Sequence, residues 1–181
     1  PLQNLLYDNM NKAYQILSNN YVVIDVPFIK GLSYRLNTGV RARFTDQARY
    51  EGRDTQSGLA ALGDASIDNA VSNNLVVENI LSYSREFGSH SIFATGLYSY
   101  EGYNGRTNST DATNFPNDFL SWYGVAQAAV VLPSVSYSET ALISQMLRFN
   151  YAYASRYLLT LTVRRDGYSG FGEDSKWGTF P

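Results

Sequence analysis

Apolar residues in this chain recur mostly at every second position, the period of a β-strand. Residues 21–29 read YVVIDVPFI, with Val22, Ile24, Val26 and Phe28 on one face and Asp25 on the other. In residues 32–44, LSYRLNTGVRARF, one face carries Leu32, Tyr34, Leu36, Thr38, Val40, Ala42 and Phe44. The opposite face carries Ser33, Arg35, Asn37, Gly39, Arg41 and Arg43. The same alternation predicts strands over 72–86 (Leu75, Val77, Leu81 and Tyr83, with Asn79 interrupting) and 91–101 (Ile92, Ala94, Gly96, Tyr98, Tyr100). Two more follow over 142–153 (Leu147, Phe149, Tyr151 and Tyr153, opposite Arg148 and Asn150) and 157–165 (Leu159, Leu161, Val163). Residues 1–15 predict a short turn of helix or a loop.

The connections alternate in length. Tight turns fall at 30–31, 87–90 and 154–156, and long polar loops at 46–71 and 103–140. The expected fold is therefore all-β: an antiparallel, up-and-down sheet of about six strands, arranged as three adjacent hairpins. Short turns at one end and long loops at the other are the asymmetry of outer-membrane β-barrels.

Two further features sharpen that expectation. Every arginine of 32–44 lies on one face, where large cations need room and water. Tyr34 and Phe44 lie ten residues apart on the other face. At ~3.3 Å per residue and ~40° tilt this spans ~25 Å, the height of the apolar band of such a barrel. Aromatics sit near the ends of these faces: Phe28, Tyr83, Tyr98, Tyr100, Tyr151, Tyr153 and Tyr157. The alternative is a soluble β-sandwich that binds carbohydrate through its loop aromatics Phe115, Phe119, Trp122 and Tyr123. That fold shares the strands but packs their apolar faces against one another.

Composition narrows the classes. The formal net charge of −2 argues against a nucleic-acid partner. With 0 Cys, disulfide scaffolds and thiolate metal sites are excluded. The 15 Tyr suit surfaces that are apolar on one side and wet on the other. No apolar run approaches the ~20 residues of a membrane helix. No signal peptide opens the chain, and Pro1 rather than Met leads to the expectation of a piece of a longer protein.

Catalytic chemistry finds no constellation. His90 is the single histidine, with no nucleophile or ligand set around it in sequence. Asp166 with Glu173 and Asp174 lacks the alternating register of a calcium loop. The glycines at 167, 170 and 172 do not precede a helix, so they form no phosphate loop. No catalytic, cofactor-binding or metal residue is assigned, no cofactor is expected, and the chain is not expected to be an enzyme. Arg35, Arg41, Arg43 and Arg148 are read either as lining a polar path or as pairing with a plug or neighbouring strands.

The closing stretch, RYLLTLTVRRDGYSGFGEDSKWGTFP, resembles a segment of the SusC/RagA-type TonB-dependent outer-membrane transporters. The matching positions are Tyr157 to Thr160, Thr162, Arg164-Arg165-Asp166-Gly167, Phe171-Gly172, Lys176-Trp177-Gly178 and Phe180-Pro181. Tyr168 and Gly170 depart from the family pattern. Weaker likenesses are Lys30-Gly31-Leu32, Glu78-Asn79 with Leu81 and Tyr83, Phe87-Gly88 with His90, and Phe115-Pro116-Asn117-Asp118.

The resemblance implies a barrel of about 22 strands with an N-terminal plug. It also implies import of oligosaccharides or peptides across the outer membrane of a Gram-negative, Bacteroidetes-like cell. The implied partners are the TonB complex, a SusD-like surface lipoprotein, the cargo and outer-membrane lipid. On this reading residues 1–181 are a partial transporter barrel without the plug, an open stretch of its wall.

Overall fold

The computed structural model describes residues 7–172 and 175–181. Among them the strands are β1 (Tyr7–Asp25), β2 (Leu32–Glu51), β3 (Asp64–Phe87), β4 (His90–Thr113), β5 (Val130–Tyr153), β6 (Tyr157–Tyr168) and β7 (Trp177–Phe180). They form one 7-stranded antiparallel sheet in chain order, β1-β2-β3-β4-β5-β6-β7. One short helix, α1 (Gln56–Ala61), and a 3-10 helix (Ser121–Gln127) interrupt the connections.

The all-β, up-and-down expectation holds, with four corrections. The strand expected over 21–29 ends at Asp25, and Pro27 opens a turn that takes up residues 26–31 instead of 30–31. The sheet has seven strands rather than about six, because Trp177–Phe180 pairs with β6. Residues 7–15 are strand, not helix or loop; residues 1–6 lie outside the described residues. The predicted loops 46–71 and 103–140 are mostly strand, and the connections shrink to 52–63 and 114–129. The reason is physical. Strands β3, β4 and β5 run 24 residues each, whereas ~9–11 suffice to cross a bilayer. Some of their outer stretches, such as Tyr103–Thr113, carry polar residues on both faces. They have no apolar period to read and are held by backbone pairing.

The chain divides into two compact units. The first comprises residues 7–16, 42–73 and 104–138 of the described chain. It holds all the buried hydrophobic residues found among the described ones: Ala48, Tyr50, Ala65, Ala112, Phe115 and Trp122. Both long connections lie here, and they fold onto the strand alanines. Thr55 caps α1 by accepting from the Gly58 amide at 2.8 Å. The two connections join where the Asn114 amide donates to Ala61 O at 2.8 Å and the Phe115 amide to Leu62 O at 2.9 Å.

The second unit, residues 17–41, 74–103 and 139–181, contains no buried hydrophobic residue among those described. Leu147 is 65% exposed, Leu161 57% and Leu81 49%. A β-sandwich would bury these side chains between two sheets. Here a single sheet carries them uncovered, so the sandwich alternative fails. The tight turns belong to this unit. Gly31 has φ +88, and a Cβ there would lie 1.8 Å from Ser84 O. The Ser84 amide donates to Gly31 O at 2.8 Å, so only glycine fits. Ala154 and Ser155 hold φ 50 and 54, left-handed values within the three-residue turn 154–156 that joins the paired Tyr153 and Tyr157.

Candidate functional site

The two faces of the second unit are chemically opposite. The β5–β6 register places Leu147 against Val163, Phe149 against Leu161, Tyr151 against Leu159 and Tyr153 against Tyr157 on one side. On the other side Arg148 meets Thr162, Asn150 meets Thr160 and Ser144 meets Asp166. Thr160 donates to Asn150 Oδ1 at 3.0 Å. For β5 and β6 the faces read from sequence are those observed.

Asn79 interrupts the apolar face of β3 and is satisfied there. Tyr34 Oη donates to Asn79 Oδ1 at 2.7 Å, and Asn79 Nδ2 donates to Tyr98 O at 3.4 Å. The interruption at Asn79 is thus a bonded pair, which is how a polar group persists in apolar surroundings.

His90 opens β4 within a band of rings near the tight turns. It stacks on Phe87 (centroids 5.3 Å), lies 4.9 Å from Tyr153, and its Nδ1 is 2.7 Å from Tyr151 Oη. It is an aromatic-band residue rather than the turn residue expected. No group of three metal-ligating side chains occurs among the described residues. The sequence motif Glu173-Asp174 lies outside them.

The polar face carries a hollow of about 410 Å³ beside Tyr21, Arg35, Asn37, Arg41 and Glu78. The Arg35 guanidinium lies 4.8 Å over the Tyr21 ring. Arg35 Nε donates to Asn37 Oδ1 at 2.7 Å, and Asn37 Nδ2 to Glu78 Oε2 at 2.9 Å. None of Arg35, Arg41, Arg43 and Arg148 forms an ion pair with another described residue. Ion pairs with the described strands therefore do not account for them.

The closing motif is a register device. Asp166 faces Gly178, Gly167 faces Trp177 and Arg165 faces Thr179. Arg164 Nε reaches both Asp166 oxygens, at 2.9 and 2.8 Å. Arg165 lies 4.5 Å over the Trp177 ring. The two departures from the family pattern belong together: a Cβ at Gly170 would lie 2.5 Å from the Tyr168 ring. The larger ring at 168 occupies the space a side chain at 170 would need.

In the first unit, Tyr50 meets Phe115 edge-on with centroids 5.1 Å apart, and its hydroxyl donates to Asp118 Oδ1 at 2.7 Å. Arg53 Nε is 3.6 Å from Asp118, and Arg53 also donates to Phe115 O. Burial first, then the Asp118 hydrogen bond, pushes the Tyr50 hydroxyl well above its ordinary pKa. The motif Phe115-Pro116-Asn117-Asp118 is thus a clasp between connections, and sequence reading missed its partners Tyr50 and Arg53. Of the four loop aromatics, Phe115 and Trp122 are buried, while Phe119 is 90% and Tyr123 77% exposed.

No family model matches the chain. It is 32% identical to TonB-dependent receptor P3 of Formosa agariphila over 94% of its own length and 17% of that protein. It is 26% identical to TonB-dependent receptor P39 of the same organism, over 96% of its length and 17% of that protein. A stretch of 44 residues is 48% identical to TonB-dependent receptor SusC of Bacteroides thetaiotaomicron, covering 24% of this chain and 4% of that one. Along most of its length the chain is thus homologous to TonB-dependent receptors, and over one shorter stretch to SusC.

The RagAB peptide transporter shares the fold, with a TM-score of 0.84 at 20% identity over 97% of this chain and 20% of that one. The RagAB peptide importer in its open-open state superposes with a TM-score of 0.83 over 98% of this chain. The chain thus spans about 17% of the length of the first two curated relatives. Those relatives are receptors, not enzymes. TonB-dependent receptors are outer-membrane proteins, and β-strands cross a membrane as closed barrels.

Proposed function

We propose that this chain is part of the barrel wall of an outer-membrane TonB-dependent active transporter. The whole described chain contributes wall and none of the plug. The apolar face of the second unit meets lipid, and the polar face with Arg35, Arg41 and Arg148 meets the wet interior. The exposure of Leu81, Leu147 and Leu161 on one face, opposite the arginines, carries this reading. A folded protein in water does not leave so many large apolar side chains uncovered.

The imported cargo is an oligosaccharide or a peptide, energised through TonB, with a SusD-like lipoprotein at the surface. The kinship with SusC and the fold of RagAB support this. Exposed Phe119 and Tyr123 offer apolar loop surface suited to such a partner. In cells carrying the full-length protein, uptake of labelled oligosaccharides and of labelled peptides should depend on an intact TonB contact. Import of neither class, or import that persists without TonB, would contradict the proposal.

A further inference from the structure

The apolar face is not flat. On β4, Ala94 and Gly96 lie between Leu81 and Tyr83 of β3 and Leu147 and Phe149 of β5. Small residues flanked by large ones sink a channel along the middle strand. It consists of two adjoining hollows of about 510 and 450 Å³ that share Leu81, Gly96, Leu147 and Val163. Gly96 is central to it. A Cβ there would meet only Leu147 Cδ2, at 3.5 Å, so any longer side chain would grow into the channel.

The channel changes character along its length. The hollow at Ala94 is walled by Leu, Phe and Tyr side chains, whereas its neighbour is rimmed by Tyr34, Asn79, Tyr98, Gln145 and Arg165. Tyr34 and Asn79 satisfy each other. Arg165 does not form an ion pair with any described residue; its partner is the Trp177 ring. A guanidinium at an apolar surface, with no ion-paired carboxylate among the described residues, is suited to an anion.

We propose that this channel is a specific lipid site, holding one acyl chain over Gly96 with the lipid's phosphate at Arg165. The proposal rests on the lipid-facing reading given above. In a bilayer the chain gains nothing from leaving water, so shape fit and the charged contact must supply the preference. An apolar protein segment would fill the channel but would leave Arg165 unanswered. A phosphate-bearing lipid answers both ends.

The test uses the full-length receptor, reconstituted into phosphatidylcholine vesicles with phosphatidylglycerol as a minor component. Vesicle flotation reports insertion. Extraction in mild detergent and native mass spectrometry report retained lipid. The wild type is expected to retain phosphatidylglycerol in preference to phosphatidylcholine. Gly96→Leu should abolish retention, and Arg165→Gln should keep a lipid but lower the phosphatidylglycerol preference about tenfold, the loss of one charge-assisted contact. If Gly96→Leu fails to insert, Arg165→Gln carries the test alone.

Equal retention of both lipids by the wild type, or a preference unchanged in Arg165→Gln, would overturn the proposal. A dimer broken by Gly96→Leu with no retained lipid would assign the channel to a second copy and overturn it too. A wild type that inserts without lipid preference sinks only this inference. A wild type that does not enter vesicles sinks the membrane reading with it.

Discussion

The indole of Trp177 occupies the space beside Gly167, so that a Cβ there would lie 2.8 Å from the ring's Cε3 and Cζ3. The two residues face each other in the β6–β7 register, and Arg165 covers the same ring. The glycine after Arg-Arg-Asp is therefore fixed by a tryptophan ten positions later. Gly167→Ala should destabilise the full-length barrel by about 1–3 kcal/mol through overpacking, read by urea titration in vesicles. Combining it with Trp177→Leu should recover part of the loss; an unaffected single variant would argue against this contact.

Tyr34 and Asn79 form a closed pair on the apolar face. Tyr34→Phe alone leaves the Asn79 carbonyl without its donor and should cost about 1–3 kcal/mol. The double variant Tyr34→Phe with Asn79→Leu removes both partners and should fall close to the wild type. Additive losses in this cycle would mean the two side chains act independently.

The clasp in the first unit has a pH signature. The Tyr50 hydroxyl is pushed up by burial and by Asp118, so the folded state holds its proton more tightly than the unfolded chain. That stabilisation is full below the unfolded value of about 10 and declines as pH rises above it. Tyr50→Phe should lower stability by about 1 kcal/mol at neutral pH and flatten the alkaline loss. An unchanged alkaline limb in Tyr50→Phe would assign the loss to other groups.

Charge placed on the two faces should be tolerated unequally. Leu161→Arg, opposite Phe149 on the apolar face, should cost about 2–4 kcal/mol in the intact barrel. Thr160→Arg, opposite Asn150 on the polar face, should cost less than about 1 kcal/mol. Equal penalties would contradict the assignment of faces.

The strands that were legible in sequence are those whose two faces differ, such as Leu32–Phe44 and Leu159–Val163. There the environments on the two sides impose a period of two. The outer half of β4, with Asn104, Asn108, Ser109 and Asp111, meets polar surroundings on both sides and left no such trace. Tyr7–Asn20 hid for a related reason: its residues are mostly exposed and mixed in character. The closing motif was recognisable as a pattern, but its cause was not, since the contact between Gly167 and Trp177 exists only once β7 pairs with β6. Tyr50 and Asp118, far apart in the chain, could not be joined without the fold.

The most direct measurement places a nitroxide label at each of residues 158–163 in turn, in the full-length receptor in vesicles. Accessibility is then read to oxygen, which partitions into lipid, and to a water-soluble nickel chelate. The expected result is strict alternation: Leu159, Leu161 and Val163 respond to oxygen, and Leu158, Thr160 and Thr162 to nickel. Labels at Leu159, Leu161 and Val163 that respond to neither reagent would place those side chains in a dry protein interior, and the membrane-wall assignment would be wrong.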